Sequence, residues 1–79
     1  MNTITKGSKG TDVKILQSCL RMLQYVGKDG KALKITGTCD DNLVYAINTF
    51  QKIQGAYGYN CGSGDGSFGP LCWARLLGV

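Results

Sequence analysis

The sequence predicts an all-α fold, a small three-helix bundle with irregular glycine-rich loops. Three stretches repeat apolar residues at helical spacing, and each begins with a helix-start signal. Twelve glycines against one proline indicate that the connecting loops are tight and irregular. Because a chain of 79 residues suits one domain, we expect a single domain over residues 1–79, with its core at about 6–77.

The first predicted helix runs from about Asp12 to Tyr25. Its apolar residues fall at i, i+3, i+7 and i+10 and form one stripe: Val13, Leu16, Leu20 and Leu23. We expect Thr11 or Asp12 to cap this helix, since a side-chain oxygen can accept from an exposed N–H of the first turn. In the basic loop that follows, Leu33 and Ile35 are expected to point inward.

The second predicted helix begins near Asp40, whose carboxylate suits a helix N-terminus for both capping and dipole reasons. Gly55 is expected to end it, because glycine is favoured just beyond a helix C-terminus. The predicted buried face comprises Leu43, Ala46, Ile47, Phe50 and Ile53.

The third predicted helix follows an Asp65-Gly66 turn and begins at Pro70, whose fixed φ suits the first helical position. Phe68 is expected to fold back onto this helix. One helix face carries its large apolar residues, Trp73, Leu76 and Leu77. We expect the tryptophan to lie in the core.

The segments leading into the second and third helices repeat one design. When Gly37 is aligned with Gly66, three further pairs match: Cys39 with Phe68, Leu43 with Cys72, and Ile47 with Leu76. Each unit is a glycine, one residue, a buried anchor and then a helix. This repetition predicts a pseudo-symmetric helical domain.

The four cysteines are compatible with zero, one or two disulfides. Their spacing contains no C-x-x-C and the chain has no histidine, which argues against a zinc site. No cofactor is expected. Cys61 is expected to be the most exposed cysteine, and Cys39 is its favoured disulfide partner.

The charged residues do not indicate catalysis. The five acids are all aspartates, and three of them already have structural roles, two at helix starts and one in a turn. Nothing in the sequence indicates a carboxylate pair for glycoside hydrolysis, and there is no histidine base. We therefore expect a binding module rather than an enzyme. The net charge of +4 suits ordinary solubility and would also favour an anionic partner. No apolar run is long enough to span a membrane.

Three motifs cover the chain from about Lys6 to Leu77. They read Lys6-Gly7-x-x-Gly10-x-x-Val13-x-x-Leu16-Gln17-x-x-Leu20, then Gly37-x-Cys39-Asp40-x-x-Leu43-x-x-Ala46-Ile47-x-x-Phe50-Gln51, then Asp65-Gly66-x-Phe68-Gly69-Pro70-x-Cys72-Trp73-x-x-Leu76. Together they resemble the helical peptidoglycan-binding domain found beside cell-wall amidases, muramidases and carboxypeptidases. The sequence departs from that family at Cys39, Asp40, Leu43 and Cys72.

The resemblance implies three α-helices and non-catalytic binding of bacterial peptidoglycan, through its glycan or its stem peptide. Such a module targets a linked cell-wall hydrolase or phage endolysin to the wall. The expected location is extracellular or in the cell wall. The chain starts without the apolar segment of a secretory signal, which indicates an excised module or a phage lysin segment. A monomer is expected, without a membrane or nucleic-acid partner.

Candidate ligand contacts lie on the loops that lead into the second and third helices and on the glycine-rich loop between them. They are Asp40, Tyr57, Tyr59, Asp65, Ser67 and Arg75. The tyrosines could stack on sugar faces or bond to amide groups, and covering the core is the alternative reading for them.

Two other functions remain open. The first is a protein-interaction or regulatory domain that packs on a partner enzyme. The second is a small basic nucleic-acid-binding domain, against which the scatter of the lysines and arginines over the whole chain argues.

Overall fold

The structure, a computed structural model, describes residues 3–59, 61 and 66–78. It contains three helices: α1 Thr11–Met22, α2 Asp41–Ala56 and α3 Pro70–Leu77. Within the described ranges no β-strand forms, and strand-like pairing is limited to isolated bridges. The predicted all-α, three-helix fold is therefore confirmed.

The core lies between the apolar faces of the three helices. The predicted stripe of α1 is buried at Val13, Leu16 and Leu20, and the non-helical segments contribute Ile4, Leu33 and Phe68. Trp73 is 4% exposed, which confirms its predicted place in the core. Burial of this apolar surface is the main favourable contribution to folding.

The N-terminal segment joins the two segments that precede α2 and α3. Ile4 and Phe68 exchange both backbone hydrogen bonds, at 3.0 and 2.8 Å. Further along, the Cys39 amide donates to the Ser8 carbonyl, and the Gly7 amide donates to the Cys39 carbonyl. The anchors that the sequence repeat aligned, Cys39 and Phe68, are thus both buried and both paired with the same segment.

The two aligned glycines share one backbone conformation. Gly37 has φ +80° and Gly66 has φ +77°, the left-handed region that favours glycine. A Cβ atom at Gly66 would also lie 2.9 Å from Cγ1 of Val44. These observations support the predicted pseudo-symmetry of the two units.

Two of the three predicted helix starts are confirmed. The Asp40 carboxylate caps α2 by accepting from the Leu43 amide at 3.0 Å, and Pro70 is the first residue of α3. The predicted cap of α1 is wrong, because Gly10 occupies the cap position and no side chain bonds to the helix end. The Gly10 amide instead donates to the Gly37 carbonyl, which fixes where α1 begins.

The first two helices end at different residues from those predicted. The helix α1 stops at Met22, before the predicted end at Tyr25, and α2 continues past Gly55 to Ala56. At each end the chain closes in a Schellman motif, with a residue in the left-handed region followed by a tyrosine. The left-handed residues are Gln24, with φ +67°, and Gly58, with φ +86°.

The amides of Tyr25 and Tyr59 complete these motifs by donating to the carbonyls of Leu20 and Gln54. Four expected core residues are exposed: Leu23 is 56% exposed, Ile35 and Leu77 are each 47% exposed, and Ile53 is 39% exposed, whereas Leu33 is buried. Leu23 and Ile53 are exposed because they line an open groove beside the core. Leu77 is the last residue of the short helix α3.

Candidate binding groove

An open groove of about 610 Å³ lies beside the core, and we call it the aromatic groove. It is lined by residues 23–26 after α1, by Thr49, Phe50, Ile53 and Gln54 of α2, and by Arg75 and Leu76 of α3. The Schellman turn at the end of α1 carries Tyr25 and Val26 to this groove. Its volume lies in the range of about 300–1,000 Å³ that is typical of ligand sites.

One rim of the aromatic groove is a chain of polar side chains. The Arg75 Nε donates to Gln54 Oε1 at 2.7 Å, and the Arg75 guanidinium lies 3.5 Å from the centroid of the Tyr59 ring. Gln54 also hydrogen-bonds the Tyr25 phenol. Burial raises the pKa of Tyr25 above its ordinary value of 10.0, and the Gln54 bond offsets part of this rise. The rim therefore offers a guanidinium, an amide and a phenol that hold one another in place.

The floor of the aromatic groove is continuous with the core. Tyr25 packs against Phe50 with ring centroids 5.8 Å apart, Phe50 packs against Phe68 at 5.5 Å, and Phe68 meets Trp73 edge-on at 5.0 Å. Phe50 and Phe68 are buried. An apolar floor fixed by this stack, beside a polar rim, can bind a ligand with an apolar face and polar edges.

Two buried glutamines hold the loops that precede α2 and α3. Gln17 Oε1 accepts from the amides of Thr36 and Gly37, each at 2.9 Å, and its Nε2 donates to Thr36 Oγ1 and to the Thr38 carbonyl. Gln51 Nε2 donates to the Ser67 carbonyl at 2.7 Å. From the sequence, both glutamines were recognised only as members of the motifs, and no role was assigned to them. The signal that could have found them is a polar residue within a buried helical stripe.

The structure brings two of the predicted contact residues together, Tyr59 and Arg75. Arg75 lines the aromatic groove, and Tyr59, 47% exposed, stacks on it. Sequence reasoning missed Tyr25 and Gln54, which complete this rim. The repeat could have indicated Tyr25, because it lies eight residues after Gln17, as Tyr59 does after Gln51.

The other predicted contact residues lie outside the aromatic groove. Tyr57 is 73% exposed at the end of α2, and Ser67 is half-buried, with its carbonyl bonded to Gln51. Asp65 lies outside the described residues. Asp40 lines a separate polar pocket of about 270 Å³, together with Lys31 and Lys34. The structure therefore does not bring Asp40, Tyr57 and Ser67 to the groove that Arg75 lines, and a ligand contact at these three residues stays a prediction.

The cysteines also differ from the expectation. All four are free thiols, so the favoured Cys39–Cys61 disulfide is not formed in the structure. Cys61 is buried, at 4% exposure, and Cys19 is the cysteine that is only partly buried. The thiol that contacts Cys61 belongs to Cys72, which donates a hydrogen bond to the Cys61 carbonyl. Cys61 was expected to be exposed because its loop is rich in glycine, but the residue itself is buried beside Cys72 of α3.

Burial raises the pKa of two cysteine thiols. The pKa of Cys39 rises from the ordinary value of 9.0 to about 11, with the Asp40 charge acting in the same direction. The pKa of Cys61 also rises to about 11 through burial and the neighbouring Cys72 thiol, while Arg75 acts in the opposite direction. Both thiols are therefore protonated near neutral pH.

Comparison with known proteins gives no relative: no family model, curated protein or solved structure matches this chain. In the part of the chain that the structure describes, no helix has the length and apolar character needed to cross a membrane. Among the same residues, no group of three or more potential metal-ligating side chains comes together.

Proposed function

We propose that this domain binds bacterial peptidoglycan in the aromatic groove and targets a linked cell-wall hydrolase to the wall. The observation that carries the proposal is the pairing of an apolar floor with the polar rim of Tyr25, Gln54, Arg75 and Tyr59. The resemblance of the three sequence motifs to those of helical peptidoglycan-binding domains supports it.

The chemistry of the ligand suits this arrangement. Peptidoglycan presents sugar rings with apolar C–H faces, hydroxyl and amide groups on their edges, and peptide stems with carboxylates. Aromatic rings and aliphatic side chains can cover the apolar faces, while Gln54 and the tyrosine hydroxyls can bond to the edges. Arg75 is the rim cation available to a stem carboxylate.

A tethered module of this kind needs only modest affinity. Once the linked enzyme engages the same solid substrate, the second contact forms at a high effective concentration. The open form of the aromatic groove is compatible with a polymeric ligand that enters at one side and leaves at the other.

The proposal is tested by co-sedimentation with purified peptidoglycan from which teichoic acids have been removed, at low and at moderate salt. Recognition in the aromatic groove predicts binding that survives moderate salt. Binding that disappears with salt would show that the net charge alone is responsible. A domain that stays in the supernatant even at low salt would contradict the proposal.

Two matched pairs of variants locate the contact. Tyr59→Ala should weaken binding about tenfold, as expected for an aromatic contact worth more than about 1 kcal/mol. Tyr45→Ala is its control, because Tyr45 is 46% exposed on α2 and lines a different pocket, beside Lys28 and Asn48. Arg75→Gln should likewise weaken binding, with Arg21→Gln on α1 as its control. Equal losses within each pair would place the contact elsewhere.

A second candidate function is docking on a partner enzyme, and one observation favours it. Met22 and Leu23 are 82% and 56% exposed at the end of α1, and Leu23 lines the aromatic groove. Exposed apolar residues beside a groove are typical of protein contacts. A domain that ignores peptidoglycan but binds a separately supplied cell-wall hydrolase, and loses that binding in Leu23→Glu, would support this alternative.

A further inference from the structure

Two thiols meet where Cys61, which follows α2 in the chain, lies beside Cys72 of α3. The Cys72 thiol donates a hydrogen bond to the carbonyl of Cys61, and the two thiols interact with each other. Both residues are buried, at 1% and 4% exposure. Neither thiol takes part in the aromatic groove. We propose that Cys61 and Cys72 form a disulfide when a small-molecule disulfide, such as oxidised glutathione, is present.

The surrounding hydrogen bonds tolerate this change. Oxidation removes the S–H group with which Cys72 bonds to the Cys61 carbonyl. That carbonyl keeps a donor, since Gln51 Nε2 lies 3.3 Å from it. Gln51 Nε2 also lies 3.4 Å from the Cys72 sulfur. A buried carbonyl left without any donor would oppose the reaction, and Gln51 prevents this.

The reaction proceeds in two exchange steps. The thiolate of Cys61 attacks one sulfur of oxidised glutathione, which forms a mixed disulfide and releases one glutathione thiolate. The thiolate of Cys72 then attacks the Cys61 sulfur, which forms the protein disulfide and releases the second glutathione. The two protons from the protein thiols pass to the two glutathione thiolates. The protein loses two electrons, and oxidised glutathione gains them.

Cys61 and Cys72 differ in their surroundings from the other two cysteines, Cys39 and Cys19. Cys39 packs beneath the start of α2, where its amide and carbonyl pair with the N-terminal segment. Cys19 lies on α1 and is partly buried. Because Cys61 and Cys72 are buried, the first attack requires local exposure of Cys61. Its raised pKa leaves little thiolate at neutral pH, so the attack is faster at mildly alkaline pH.

The bond would strengthen a contact that the structure already makes. Tyr59 lies two residues before Cys61, and Arg75 lies three residues after Cys72. A Cys61–Cys72 disulfide therefore joins the same loop and helix that meet in the Tyr59–Arg75 stack. The disulfide would restrain this rim of the aromatic groove, whatever ligand the groove takes.

Peptide mapping of the whole chain tests the inference without any ligand. The reduced protein is equilibrated with oxidised and reduced glutathione at mildly alkaline pH, alkylated in denaturant and cut with trypsin. Cleavage at lysine and arginine places Cys19, Cys39 and the proposed pair in three different fragments, 15–21, 35–52 and 53–75. We expect fragment 53–75 to lose two hydrogen atoms and take up no alkylating reagent, while the other two cysteines are alkylated.

A stability measurement accompanies the mapping. Closing this short loop should raise the Tm by about 10 °C relative to the reduced protein. The rise should be absent in Cys61→Ser and should persist in Cys19→Ser. Alkylation of both cysteines in fragment 53–75 at every glutathione ratio would overturn the inference. So would a disulfide that contains Cys39 or Cys19. Since the mapping uses the unmodified chain, a variant that fails to fold leaves the test intact.

Discussion

Replacement of Gln17 by methionine removes four hydrogen bonds while nearly keeping the shape of the side chain. In the structure, Gln17 is 1% exposed and its carbonyl oxygen is the acceptor for two backbone amides, those of Thr36 and Gly37. Its amide group serves Thr36 Oγ1 and the Thr38 carbonyl. The loop that precedes α2 therefore depends on this one side chain.

The expected loss follows from which groups lose their partners. The Gly37 amide is buried, and a buried donor without a partner costs about 1–3 kcal/mol. The Thr36 amide and the two groups that accept from Nε2 are partly solvated. Loss of their three hydrogen bonds should together cost about 1 kcal/mol more. We expect Gln17→Met to lower the free energy of unfolding by about 3 kcal/mol. The total free energy of unfolding of a domain of this size is about 4–12 kcal/mol.

Urea denaturation followed by the fluorescence of Trp73, the one tryptophan of the chain, measures this loss. With an m-value of about 1 kcal/mol/M, the urea midpoint should fall by about 3 M. Gln51→Met is the matched control, because Gln51 is also 1% exposed. Its Oε1 is buried without a hydrogen-bond partner among the described residues. Only acceptors lose a donor there, namely the carbonyls of Cys61 and Ser67 and the Cys72 sulfur, so we expect a loss of about 1 kcal/mol.

The order of the two losses decides the result. If Gln17→Met lowers stability by less than about 1 kcal/mol, the loop does not depend on the Gln17 contacts. If Gln51→Met costs as much as Gln17→Met, the cost comes from the methionine itself rather than from the two backbone amides.

Three further outcomes are expected. Gly66→Ala should lower the free energy of unfolding by about 1–3 kcal/mol, since Gly66 has φ +77° and the new Cβ would meet Val44. Gly55→Ala, in open space on α2, should instead raise it by about 0.5–1 kcal/mol in the same urea assay. Asp40→Ala should cost about 1 kcal/mol of stability through the lost cap and leave peptidoglycan binding unchanged, so a selective loss of binding would return Asp40 to the site. In reducing buffer, the contribution of Cys39 to stability should be constant below about pH 9 and should be lost as the pH rises towards 11. The reason is that the thiol of the unfolded chain, with its lower pKa, ionises before the thiol of the folded protein. A Cys39→Ala variant with an equally steep decline would contradict this.

Local chemistry made the helix positions predictable. The carboxylate at Asp40 and the ring at Pro70 act on the backbone beside them, so their effects can be read from short stretches of sequence. The apolar stripe of α1 likewise follows from spacing alone. The end of α1 was not predictable in this way, because Gln24 adopts the left-handed region, in which glycine is the usual residue.

The buried glutamines illustrate what local patterns omit. Gln17 lies between Leu16 and Leu20 on the buried stripe, so burial could be expected from its position. Its partners could not, because they lie 19–21 residues away in a loop without regular structure.

The candidate site was only partly predictable for a related reason. The sequence predicts candidate contacts on the loops that precede α2 and α3 and on the glycine-rich loop between them. In the structure, Asp40 and Arg75 line different pockets. The rim of the aromatic groove depends instead on the ends of α1 and α2, where two turns place Tyr25 and Tyr59. Such convergence of distant segments has no signature in a short stretch of sequence.

The central claim is that the aromatic groove is the peptidoglycan site. The most direct measurement is an NMR titration of the isotope-labelled domain with soluble peptidoglycan fragments that contain both sugar and stem peptide. Our account predicts chemical-shift changes that cluster at Tyr25, Gln54 and Arg75, with Lys31 and Asp40 of the polar pocket unaffected. Changes confined to the polar pocket, or no changes at saturating fragment, would contradict it.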